Sequence, residues 1–85
     1  MRRAELKEIL EKNTDESRRY YRLYPYLYRD LMLWEDYLQC ASLRRKQKYR
    51  APKNGARYDV CEYYGISDKT FYTIRRTLRE LCEDV

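Results

Sequence analysis

Apolar side chains along this chain recur at steps of three and four residues, the period of helices that bury one face. Leu6, Ile9 and Leu10 form a short stripe that predicts a first helix over about residues 3–12. Asn13-Thr14 then supplies a stop and a fresh N-cap, and Asp15 and Glu16 follow at the positive end of a second helix. Tyr20, Leu23, Leu27, Leu31, Trp34, Leu38 and Ala41 carry the same period onward as one buried face. Pro25 interrupts it, because proline lacks an N–H and disfavours helical geometry at Tyr24. The pattern therefore predicts a kink or a fresh start there, with Pro25 in the first turn of a main helix over about residues 25–47.

Residues 49–57, YRAPKNGAR, combine Pro52 with Asn54-Gly55 and show no apolar period, so they read as a loop between two helical units. Asn-Gly also suits a hairpin turn, but the flanks do not alternate and a hairpin is rejected. Beyond Tyr58 the period returns. A short helix must end at Gly65, where a left-handed residue costs glycine nothing, and Ile66 can plug the corner. Ser67 is a second N-cap, and the helix from Asp68 carries Phe71, Ile74, Leu78 and Leu81 on one inward stripe. Cys61 is the small side chain that lets the two helices cross closely. Such a corner buries too little alone, so the Leu27-Leu31-Trp34-Leu38 face should supply a third wall. With two Gly, two Pro and few β-branched residues, the expectation is one compact all-α domain, a small helical bundle. Its parts are a supporting or oligomerising segment 1–48, a basic loop 49–57 and a helical pair 58–85.

Composition narrows the chemistry. The 85 residues include no His, which excludes His-dependent triads and the usual zinc motifs; neither enzymatic activity, a metal nor a cofactor is expected. Cys40, Cys61 and Cys82 are odd in number and too widely spaced to chelate, and fit reduced thiols in a cytoplasmic protein. The longest apolar run, Leu31-Met32-Leu33-Trp34, is far too short for a membrane span, and the charged start MRRAELKE lacks the apolar core of a signal peptide. The net charge of +5 conceals a partition. Residues 1–43 hold eight basic and eight acidic side chains, residues 44–79 eleven and three, and the last six add Glu80, Glu83 and Asp84. A cationic segment of this kind is the electrostatic footprint of a polyanion partner.

The stretch YDVCEYYGISDKTFYTIRRTLREL resembles the helix-turn-helix family of DNA-binding domains. That family packs a small residue four places before a turn glycine and apolar residues six and nine places after it, here Cys61, Gly65, Phe71 and Ile74. Val60, Tyr64 and Ile66 also fall where the family buries side chains; Cys61 departs mildly from the usual Ala. The arrangement is similar to small phage and mobile-element transcriptional regulators and to the promoter-reading region of sigma factors, over about residues 57–82. With four residues after Leu81 there is no room for a wing.

The resemblance implies sequence-specific binding of double-stranded DNA, with the helix from about residue 68 to 81 in the major groove. Lys69, Tyr72 and Thr73, and Arg76 one turn on, would meet base edges: Lys69 and Arg76 suit guanine, Thr73 a thymine methyl, and Tyr72 a phosphate or a stacked base. Arg79 and Ser67 fall to the phosphates. So does the basic run Arg44, Arg45, Lys46, Lys48, Arg50, Lys53 and Arg57, seven cations without an anion in fourteen residues, more than complementing a helix dipole requires.

Eleven tyrosines remain, five of them, Tyr20, Tyr21, Tyr24, Tyr26 and Tyr28, within nine residues. Spread around a helix they cannot all face one core, so a homodimer partner or RNA polymerase could cover them; the alternative is a core built with Tyr in place of Phe. A tyrosine-recombinase site is excluded by the missing His and the small size. Other readings are a DNA-packaging or recombination accessory factor and a protein-interaction module whose basic face stays in solvent.

Overall fold

The computed structural model describes the backbone of residues 1–46 and 55–85 and the side chains of 1–43 and 55–85. Five helices follow in order: α1 (Arg3–Glu11), α2 (Asp15–Leu23), α3 (Leu27–Lys46), α4 (Ala56–Tyr64) and α5 (Asp68–Leu81). No strand occurs among the described residues. No helix among them is long and apolar enough to cross a membrane.

Local chemistry sets the boundaries. Thr14 caps α2 through a reciprocal pair: its side chain accepts from the Ser17 N–H at 3.2 Å, and Ser17 Oγ accepts from the Thr14 N–H at 3.1 Å. Ser17 Oγ also donates to the Thr14 carbonyl at 2.8 Å, which satisfies a hydroxyl that is almost fully buried. Tyr24 leaves the helical region (φ −136°, ψ 83°), as a residue before proline should. Pro25 then lies in a tight turn in which the Leu27 N–H donates to the Tyr24 carbonyl at 3.0 Å. Thus α3 starts at Leu27, two residues later than the sequence pattern suggested. At the other side of the basic segment the chain is already helical at Ala56. Arg57, expected in the loop, lies in the first turn of α4.

α3 is the hub, touching α1, α4 and α5, whereas α2 packs on α1. The core is built from Leu6 and Leu10 on α1, Leu27, Leu31, Leu33 and Trp34 on α3, Val60 and Cys61 on α4, Phe71, Ile74 and Leu78 on α5, and Cys82 beyond it. Each fully buried leucine contributes about 1.5–3 kcal/mol relative to exposure. Two positions depart from the single stripe expected through Tyr20 to Ala41. Leu23 is 72% exposed, because the Pro25 turn breaks the phase between α2 and α3. Leu33, off that stripe, is fully buried because α3 is covered on more than one side. Leu81 is half-buried, and the next residue, Cys82, takes the buried position as the chain leaves α5 in an extended conformation.

Four of the five clustered tyrosines, Tyr20, Tyr21, Tyr24 and Tyr28, pack against this core. Two of their hydroxyls find partners at its rim: Tyr21 donates to the Leu10 carbonyl and Tyr28 to Glu11, both at 3.2 Å. Tyr26 is exposed, with the Arg29 guanidinium over its ring.

Candidate nucleic-acid interface

α4 and α5 are joined by three residues whose conformations follow from their chemistry. Gly65 is left-handed (φ 67°, ψ 36°), the only positive φ among the described residues. It closes α4 with paired capping bonds, from the Ile66 N–H to the Cys61 carbonyl at 2.9 Å and from the Gly65 N–H to the Glu62 carbonyl at 3.3 Å. Ser67 opens α5, its Oγ accepting from the Thr70 N–H at 3.2 Å. That hydroxyl also lies 3.1 Å from Thr70 Oγ1, so the Ser67 side chain is engaged in capping.

The inner face of α5 is fixed by apolar contact. Phe71, Ile74 and Leu78 are buried, and Phe71 joins an aromatic cluster with Trp34 at 5.9 Å and Tyr37 at 5.1 Å between ring centres. Tilted and edge-on rings of this kind add about 0.5–1.5 kcal/mol per pair beyond the area they bury. The opposite face is thereby turned outward, and Lys69, Tyr72, Thr73, Arg76 and Arg79 are all exposed on it. Neither Lys69 nor Arg76 forms an ion pair among the described residues. Thr73 Oγ1 donates back to the Lys69 carbonyl at 3.0 Å. Arg79 Nε reaches the Val85 carbonyl at 3.4 Å, a contact at the edge of hydrogen-bond range. Arg75, a cation of the same run, leaves this face: it is half-buried, with its guanidinium 6.0 Å from the Trp34 ring centre.

Arg57 reaches this face from α4. Its guanidinium donates to the Tyr72 hydroxyl, lies over the Tyr72 ring at 5.5 Å from the centre and stands 3.5 Å from Asp68 Oδ1. Side chains of Arg44, Arg45 and Lys46 lie outside the described residues, as do Lys48, Arg50 and Lys53 altogether.

Two features of α4 go beyond the burial expected at Tyr64. Tyr64 is half-buried and donates to Asp36 on α3 at 2.5 Å; burial and then this carboxylate push its hydroxyl up to about 12. Tyr63 beside it is 83% exposed. The resemblance already separates Tyr64 from Tyr63, but the bond from Tyr64 to Asp36 across the helix interface has no signature in the sequence. No family model, curated protein or solved structure matches the chain.

Proposed function

We propose that the chain is a sequence-specific double-stranded DNA-binding protein, a transcriptional regulator of the phage or mobile-element type, in which α4 and α5 act as a helix-turn-helix. The observation that carries this reading is the outer face of α5. Lys69, Tyr72, Thr73 and Arg76 stand at i, i+3, i+4 and i+7, all exposed, on a helix whose opposite face is held by Phe71, Ile74 and Leu78. The two cations at its ends lack acidic partners among the described residues, and their charge remains available to a polyanion. A rigid helix with long donor-bearing side chains in its first two turns suits the major groove, where Arg or Lys reads guanine O6 and N7. The basic run from Arg44 to Lys53 supplies further phosphate contacts in this reading, and the exposed Leu23 and Tyr26 offer a surface to a second copy of the chain.

Duplex binding measured over a series of salt concentrations tests the proposal. Affinity falls steeply with salt, Arg76→Ala relaxes the preference among sequences, and Arg79→Ala weakens all duplexes alike. Binding indifferent to sequence in the parent, with Arg76→Ala unchanged, contradicts base reading.

A further inference from the structure

We infer that Arg57 is a specificity-determining positioning residue: it touches no DNA itself but holds the Tyr72 hydroxyl in the direction in which that hydroxyl meets a base. The inference rests on the DNA-reading role proposed for α5. Arg57 stands on a different helix from the face it controls, and three contacts converge on it: a hydrogen bond to the Tyr72 hydroxyl, the Tyr72 ring under its guanidinium, and the Asp68 carboxylate. Asp68, in the first turn of α5, anchors one side of the planar guanidinium and leaves another N–H for Tyr72 one turn later. The charge of Arg57 is already matched by Asp68, which makes it a weaker phosphate ligand than a free cation. Its partner Tyr72 is 44% exposed, on the same outward face as Lys69 and Arg76.

Hydrogen-bond chemistry gives this arrangement a consequence. A guanidinium has donors and no acceptor, so Tyr72 oxygen must accept from it, and the tyrosine proton is directed to an acceptor elsewhere. In the major groove the acceptors are guanine N7 and O6, adenine N7 and thymine O4, while cytosine presents an amino donor. Tyr72 held by Arg57 therefore selects against cytosine at the base it meets. Without Arg57 the hydroxyl rotates freely and can also accept, and the discrimination disappears.

The test compares the full-length parent with Arg57→Ala, Arg57→Lys and Tyr72→Phe, using duplexes selected from a random pool and the same duplexes with each base exchanged in turn. Arg57→Ala and Tyr72→Phe are expected to lose about tenfold discrimination at one and the same position, the double variant to lose no more than either alone, and Arg57→Lys to restore part of it. The slope of log affinity against log salt stays unchanged in Arg57→Ala. A uniform loss across sequences with the slope smaller by about one unit would instead make Arg57 a phosphate ligand and overturn the inference. NMR of the free variants separates this inference from the reading beneath it: Tyr72 side-chain couplings should show one rotamer in the parent and averaging in Arg57→Ala. An unchanged Tyr72 rotamer overturns the positioning role. A released rotamer in a protein that binds no duplex leaves the clamp standing and removes the DNA reading.

Discussion

Arg3 and Asp84 are joined twice across the fold: the Arg3 backbone N–H donates to Asp84 Oδ1 at 2.9 Å, and Arg3 Nε to Oδ2 at 3.1 Å. The same guanidinium reaches Glu35 on α3 at 3.1 Å, so one residue at the start of α1 ties the segment after α5 to the central helix. Burial works to raise the Asp84 carboxyl, but its bonds to the backbone and guanidinium of Arg3 outweigh this and hold it below the ordinary carboxylate value. A depressed carboxylate contributes stability that is fully present above its unfolded value and is lost as pH falls through the folded one. Asp84→Asn is expected to lower the unfolding free energy at neutral pH by about 1 kcal/mol, read as a lower urea midpoint with the slope unchanged. The difference from the parent should begin to shrink as pH falls below the unfolded carboxylate value of about 3.9, and vanish once pH is below the lower folded value. Equal midpoints at neutral pH would remove the clasp from the account.

Gly65 offers a test of backbone conformation alone. A Cβ added there meets no atom within 4 Å, so the left-handed φ is the only obstacle to a side chain. Gly65→Ala should cost about 1–2 kcal/mol, and Gly65→Asn clearly less, because Asn tolerates this region. Thermal unfolding of the three proteins decides it; equal cost for Ala and Asn would point to a hidden clash.

Leu78 and Leu23 form a contrasting pair. Leu78 is fully buried at the centre of the α5 inner face, and Leu78→Ala should destabilise by about 2–5 kcal/mol. Leu23 is 72% exposed, and Leu23→Ser should remain within about 0.5 kcal/mol of the parent. Denaturant unfolding measures both, and a large cost at Leu23 would place it in a contact that the monomer does not make.

All three cysteines are free, but their surroundings differ. Burial, followed by the nearby carboxylates of Asp68 and Asp84 respectively, pushes the Cys61 and Cys82 thiols up, while Cys40 is half-buried on α3. In the native protein at pH 8 a thiol reagent should modify Cys40 first, and Cys61 and Cys82 only as the protein unfolds. Rapid modification of all three without denaturant would contradict the packing around α5.

What was legible in the sequence was local. Thr14, Gly65 and Ser67 announce their roles through side-chain chemistry that acts within four residues, and the Phe71-Ile74-Leu78 stripe follows from the helical period alone. The misreadings lie where tertiary structure intervenes. Leu23 continues a period numerically across Pro25, but the turn resets its direction; Leu33 is off the stripe, yet α3 has neighbours on several sides. The helix-turn-helix resemblance named the outer residues of α5 without showing what holds them. Arg57 meets Tyr72 fifteen residues away across two helices, a spacing with no signature in sequence.

The central claim, base reading by the outer face of α5, is tested most directly by selecting duplexes from a random pool with the parent protein and with Arg76→Ala. The account predicts a short enriched consensus for the parent, with one or two of its positions degenerate for Arg76→Ala and discrimination there reduced by about 1–3 kcal/mol. No enrichment at low salt, or an identical consensus from both proteins, would contradict it.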